Sequence, residues 1–203
     1  MHTYITNTEF GVEALIKLIF EEKERLETLT NDYISKQTRF TCYHQEFQHR
    51  DFNEDYCDLQ VQDSFHRMAK AKQEAELLKN QIDKLHESIQ DKDFSIRALC
   101  GALLQIAKQG ISYVYHNLSS APNGRIIKGD SLKNIIWQGR NQSLHYEQGN
   151  FKLQVTTCFN ILAIHDTNFS LTNPPQNKSL EIIKLLQWTS YENYKNDMIS
   201  ILG

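Results

Sequence analysis

Seven consecutive residues, Gly139-Arg140-Asn141-Gln142-Ser143-Leu144-His145, carry most of the chemistry this chain can offer. Between Arg140 and His145 they supply a guanidinium, an amide and an imidazole. An imidazole moves protons near neutral pH. A guanidinium stays protonated while it holds charge that develops on phosphate oxygens. An amide can orient either partner. Together these groups meet the demands of phosphodiester cleavage without a metal. RNA brings its own nucleophile: in-line attack by the ribose 2′-hydroxyl leaves a cyclic phosphate and a free 5′-hydroxyl. The protein has then to supply a base for the 2′-proton and to stabilise a crowded, doubly charged phosphorane. One histidine serves as base to one oxygen or as acid to the other, so a second copy of the motif at the same site is a physical advantage.

The spacing sets a geometric question. Arg140 and His145 are five residues apart, about 140° around an ideal helix. A straight helix would put them on different faces. Either the helix is distorted near Leu144, or the long arginine reaches around. Asn141 and His145 are four apart and share a face, so Asn141 reads as a positioner of His145 or of phosphate. Trp137, four before Asn141, can pack or can stack on a base.

The longer string Ile-Ile-Trp-Gln-Gly-Arg-Asn-Gln-Ser-Leu-His, Ile135 to His145, follows an apolar helical run in a chain rich in helix formers. It resembles the signature of the HEPN superfamily (higher eukaryotes and prokaryotes nucleotide-binding), and the likeness extends over the stretch from Ser95 to the C-terminus. Many members are metal-independent ribonucleases of toxin–antitoxin, phage-defence or CRISPR-associated systems, and they commonly pair two motifs across a dimer. The resemblance implies Arg140, His145 and Asn141 as the catalytic set, with no cofactor and no metal. It implies single-stranded RNA, a second copy of the chain and an antitoxin or other regulatory protein as partners. The alternative is a non-catalytic HEPN-like module that dimerises and binds a nucleotide or a protein partner. In some HEPN toxins a nucleotidyltransferase antitoxin modifies a tyrosine two positions after the histidine. Here that position is Glu147 and the tyrosine is Tyr146, one residue earlier. This departure weakens the case for such regulation and leaves the Arg/His chemistry untouched.

Charge is unevenly spread. The chain carries 22 Lys+Arg and 25 Asp+Glu, a net charge of −3, which argues against a general nucleic-acid binder. Residues 1–94 are net −7, residues 95–145 net +5 and residues 146–203 net −1. The positive segment is the one that holds the motif, and a local basic surface attracts phosphate even on an acidic chain. Lys133, Arg125, Lys128 and Trp137 are the expected RNA contacts.

No apolar run approaches the length of a membrane span, and Met1-His2-Thr3-Tyr4 lacks the basic and apolar regions of a secretory signal. A cytoplasmic protein without membrane contact is expected. Cys42, Cys57, Cys100 and Cys158 show no CxxC spacing and read as reduced thiols. Cys42 and Cys57 lie near His44 and His49, the one grouping that resembles a set of metal ligands.

The elements that must position the motif read as all-α. A coiled-coil-like helical hairpin is expected over 1–94, and an HEPN-like antiparallel helical bundle over 95–203. The apolar spacing predicts a first helix over Glu9–Gln37, with Thr8 as its cap. Residues 39–55 show no period. Met68, Ala71, Ala75, Leu78, Ile82, Leu85 and Ile89 then step by three and four, a coiled-coil seam. Its partner is the first helix or the same helix of a second protomer, and the third functional reading is a purely structural coiled-coil adaptor. Asp91-Lys92-Asp93 interrupts the seam, after which Ile96, Leu99, Leu103, Ile106 and Gly110 resume in the same register. The alternatives are a polar kink in one long helix or a break with Asp93 capping a helix to His116, and the break is the expectation. Residues 117–129 are dense in turn formers. Asp130 or Ser131 caps the next helix, which carries Leu132, Ile135 and Ile136. A further helix is expected over Phe151–Ile164, a hinge at Asn173-Pro174-Pro175, and one or two closing helices over Leu180–Trp188 and Tyr191–Ile201.

Overall fold

Nothing between Thr3 and Asp51 interrupts helical geometry: the stretch has no proline and one glycine, Gly11. In the computed structural model it forms a single helix, α1 (Thr3–Asp51). The structure describes the backbone of residues 2–52, 58–171 and 175–203, and within the two long helices it leaves some side chains between 32 and 85 undescribed. The second long helix, α2 (Asp58–Tyr115), is also free of proline. After it come a minimal hairpin, β1 (Ile126–Ile127) and β2 (Asp130–Ser131), and helix α3 (Leu132–His145). A 3-10 turn over Tyr146–Gln148, helix α4 (Leu153–Ala163), a second 3-10 turn over Thr167–Phe169, and helices α5 (Ser179–Leu186) and α6 (Tyr191–Leu202) complete the chain. The fold class is all-α, as expected.

Two local expectations are corrected, and one unassigned stretch is placed. Thr8 does not cap α1: its Oγ1 donates to the Tyr4 carbonyl at 2.9 Å, one turn back inside the helix. The expected break at Asp91-Lys92-Asp93 is absent, and α2 runs through it. Polar residues on a solvated face do not stop a helix that holds no proline and no nearby glycine, so Asp93 caps nothing. The stretch from 39 that showed no period continues α1 as far as Asp51. The closing helices are two, separated by Gln187, which adopts φ 57° in the left-handed region.

The chain divides into two compact units: Met1–Glu22 with Phe94–Gly203, and Lys23–Asp93. The first 22 residues therefore group with the motif-bearing half rather than with the seam. In the second unit, the rings of Tyr33 on α1 and His86 on α2 stand 5.9 Å apart. The side chains of the seam residues Met68, Ala71, Ala75, Leu78, Ile82 and Leu85 lie outside the described residues, as do Cys57 and the hinge residues Asn173 and Pro174.

In the first unit the core is built around the C-terminal half of α2. Ile96, Cys100, Leu103, Leu104 and Ala107 have no exposure at all, whereas Ala98 and Ala102 face solvent. Burial there is thus wider than one stripe but not all-round. From α1, Val12, Ile16 and Ile19 pack inward, and the Tyr4 hydroxyl donates to the Ile106 carbonyl at 2.8 Å. Helix α3 contributes Leu132, Ile135 and Ile136, and packs against α4 and α5.

Helices α2 and α3 meet in antiparallel register. Gly101 faces Ser143, with 3.4 Å from an added Cβ to the Ser143 hydroxyl oxygen. Gln105 accepts from Arg140. Lys108 lies over the ring of Trp137, 4.5 Å from its centre. Each step along α2 is matched by a step back along α3, so the motif helix is clamped along the length that carries the candidate chemistry.

Candidate functional site

The turn that precedes α3 fixes where it starts. Lys128 and Gly129 form the two-residue loop between β1 and β2, and both have positive φ, 52° and 87°. That pattern matches the twist of a tight hairpin and suits glycine better than lysine. The hairpin delivers Asp130 and Ser131 to the head of α3. Ser131 occupies the N-cap position but its side chain makes no capping bond. The first helical N–H groups go to backbone carbonyls instead, Leu132 to Arg125 at 2.9 Å and Lys133 to Asn123 at 3.3 Å. The Asp130 carboxylate accepts from the Ser131 N–H at 2.7 Å and from Asn134 Nδ2 at 2.7 Å.

At the far end, α3 stops at His145, whose backbone angles, φ −117° and ψ 12°, have left the α-helical range. The chain passes into the 3-10 turn and then reverses at Gly149, φ 68°. Phe151 and Lys152 are thereby carried back toward the last turn of α3. The result is a cavity of about 600 Å³ whose lining includes Trp137, Arg140, Asn141, His145 and Lys152. The distortion at the helix end and the reach of the arginine together resolve the 140° problem: both motif ends line one cavity. Among the described residues no aspartate or glutamate lines it; the remaining polar wall is made of amides, from Gln138, Gln148, Asn150 and Gln154.

Arg140 is held from two sides. Its Nε donates to Gln105 Oε1 on α2, and Nη1 donates to the neighbouring Asn141 Oδ1 at 3.3 Å. Asn141 in turn donates from Nδ2 to Gln138 Oε1 at 3.3 Å. Asn141 is thus a partner of Arg140, and no bond joins it to His145. His145 is exposed at the cavity wall. Burial, followed by the charge of nearby Arg140, holds Lys108 below the usual lysine range. With Arg140 and Lys152 in a wall that holds no carboxylate among the described residues, the natural complement of the cavity is an anion. Tyr146 sits just past the motif; its pKa is raised, first by burial and then by its hydrogen bond to Glu147.

The other expected RNA contacts lie apart from this cavity. Arg125 is committed to packing: Nε and Nη2 grip Asp197 at 2.7 and 2.9 Å, and Nη2 also donates to the Leu186 carbonyl at 2.7 Å. Lys133 donates to the Ala121 carbonyl at 2.5 Å and ties down the connection before the hairpin. Lys128 is exposed on the hairpin loop. Of the four, only Trp137 lines the cavity with the motif. Lys108, Gln105 and Lys152 were missed from the sequence. Lys152 had one signal, a basic residue beside an aromatic directly after the Gln148-Gly149-Asn150 turn. Gln105 and Lys108 had only their three-residue spacing on α2, which identifies no partner without the register of α3.

Among the described residues no group of three or more His, Cys, Asp or Glu side chains converges as metal ligands. Cys158 is buried near Asp130, and burial, with that carboxylate, pushes its thiol far above the usual range. Among the described residues no helix is long and apolar enough to cross a membrane. No family model, curated protein or solved structure matches this chain.

Proposed function

We propose that this protein is a metal-independent endoribonuclease of the HEPN type, acting on single-stranded RNA as a homodimer. The observation that carries the reading is the cavity lined by Trp137, Arg140, Asn141, His145 and Lys152, with no carboxylate in its wall among the described residues. In this reading the His145 imidazole takes the 2′-proton while the 2′-oxygen attacks phosphorus. The 5′-oxygen leaves, takes a proton from water and becomes the new hydroxyl end. Arg140 and Lys152 hold the charge that builds on the phosphorane. Single strands are the favoured substrate because a duplex denies the in-line geometry. A toxin–antitoxin or phage-defence setting, with an antitoxin or other regulator as protein partner, follows from the resemblance of the Arg140–His145 motif.

A second reading is favoured by one observation: among the described residues the cavity has a single histidine and no carboxylate, so one protomer offers one proton shuttle there. A second histidine from a partner copy completes the acid–base pair. Without it, the same cavity is an anion-binding module. Incubation of the pure protein with labelled single-stranded RNA in EDTA separates the two. Cleavage to cyclic phosphate ends is expected, and His145→Ala should lower the rate by roughly 10²–10⁴-fold. A parent protein that binds RNA but leaves it intact, with and without added metals, would replace the enzyme reading by the binding module.

A further inference from the structure

We propose that Asp130, Asn134 and Gln138 form a one-way hydrogen-bond chain that fixes the sense of the Asn141 amide and thereby positions Arg140 at the cavity. The chain is continuous along one face of α3, with steps of four, four and three residues. Asn134 Nδ2 donates to Asp130 Oδ2 at 2.7 Å. Gln138 Nε2 donates to Asn134 Oδ1 at 3.1 Å. Asn141 Nδ2 donates to Gln138 Oε1 at 3.3 Å, and Asn141 Oδ1 accepts from Arg140 Nη1 at 3.3 Å.

Its direction is dictated by its ends. An ionised carboxylate only accepts and a guanidinium only donates. Asp130 therefore forces Asn134 to present its NH₂, which leaves Asn134 Oδ1 to accept from Gln138. The same logic passes through Gln138 to Asn141, whose oxygen is left facing Arg140. Reversing any one amide would set two donors or two acceptors against each other at two joints. Gln138 is 4 % exposed, so water does not readily replace a lost partner there. At its origin Asp130 is itself fixed by the Ser131 N–H and by the hairpin that carries it. Beyond Asn141 the arginine is anchored again by Gln105 on α2. Asp130, Asn134 and Gln138 are positioning residues: the first two are not in the cavity lining, and all three act through Asn141 and Arg140.

The functional consequence rests on the ribonuclease reading above, so the test has an arm that does not. Side-chain N–H resonances of Arg140 and Asn141 are recorded in the full-length protein and in folded Asp130→Ala and Asn134→Leu. Asn134→Leu keeps the volume and breaks the chain, and serves if Asp130→Ala does not fold. Both resonances should shift in either variant, although Asp130 is ten positions from Arg140. On single-stranded RNA, kcat should fall roughly tenfold with KM little changed, because a misplaced arginine loses transition-state contact first. Adding Gln138→Glu to Asp130→Ala puts an acceptor-only group one joint from Asn141, and should restore both resonances; the rescue is read from the resonances alone, because Gln138 lines the cavity. Unmoved Arg140 and Asn141 resonances in the folded single variants would overturn the chain. If the parent does not cut RNA, the ribonuclease reading falls, and the resonances alone decide the chain.

Discussion

Arg125 and Asp197 are paired two-to-two across 72 residues of chain, Nε to Oδ1 at 2.7 Å and Nη2 to Oδ2 at 2.9 Å. The same Asp197 Oδ2 accepts from Trp188 Nε1 at 2.9 Å. Trp188 is fully buried, and its only polar atom has this one partner. The pair is asymmetric: the arginine side chain is 44 % exposed and the aspartate 10 %. It ties the connection before β1 to α6 and to the segment after α5, and it accounts for a basic residue that the charge pattern alone would assign to RNA.

That asymmetry sets the order of two substitutions. Asp197→Ala strands a buried indole N–H and the Arg125 guanidinium together, and should cost about 3 kcal/mol of stability. Arg125→Ala leaves Trp188 satisfied and removes the half-exposed partner, so its cost should be smaller. Thermal or urea unfolding of the two variants checks the order. Folded Arg125→Ala should bind single-stranded RNA as the parent does. A loss of RNA affinity without loss of fold would return Arg125 to the nucleic-acid surface.

Gly139 tests whether the closeness of α3 to α5 is required. An added Cβ would lie 3.2 Å from both Cγ1 and Cγ2 of Ile182, a β-branched side chain with no exposure. Replacing a mid-helix glycine by alanine ordinarily gains about 1 kcal/mol. Overpacking a well-filled core costs roughly 1–3 kcal/mol, and a buried isoleucine has little freedom to move aside. The packing term should win, and Gly139→Ala should melt below the parent. A higher melting temperature would mean that α5 gives way easily and that the helix pair is not tightly set.

Much of this architecture was legible because it is written in helical periods. Val12, Ile16 and Ile19 on α1, and Leu132, Ile135 and Ile136 on α3, are buried where their spacing puts them. The hairpin escaped because two residues per strand are too few to show alternation, and its loop places Lys128, not a glycine, at positive φ. The register shared by the seam and Ile96 to Gly110 left the continuity of α2 open in sequence; Asp91-Lys92-Asp93 reads as a boundary but, without a proline or a nearby glycine, does not end the helix. At the site, Arg140, Asn141, His145 and Trp137 could be picked out by residue type, but the spacing that suggested Asn141 as a partner of His145 did not reveal its bonds to Arg140 and Gln138. The surroundings of the motif could not be picked out. Gln105 and Lys108, outside the lining, reach Arg140 and Trp137 only through the antiparallel register of α2 and α3, and the lining residue Lys152 arrives through the reversal at Gly149. Those are tertiary facts that no spacing within one segment encodes.

Lys108 separates binding from chemistry at this site. It lies over Trp137, and its pKa is lowered by burial and by Arg140. A phosphate brought between the two cations would relieve that repulsion, so the lysine should contribute to affinity for any single-stranded nucleic acid. Lys108→Ala should therefore raise the dissociation constant for RNA and for a DNA strand of the same sequence alike. Losing one phosphate contact should flatten the slope of log affinity against log salt by about 0.7. The rate constant of bound RNA should change little, since Lys108 is not among the residues that line the cavity with His145. His145→Ala should do the reverse, keeping affinity and salt slope while cleavage is lost. Trp137 is the half-buried one of the two tryptophans, so quenching of its fluorescence reports binding in both variants. An unchanged salt slope in Lys108→Ala would show that the lysine serves only to pack the indole.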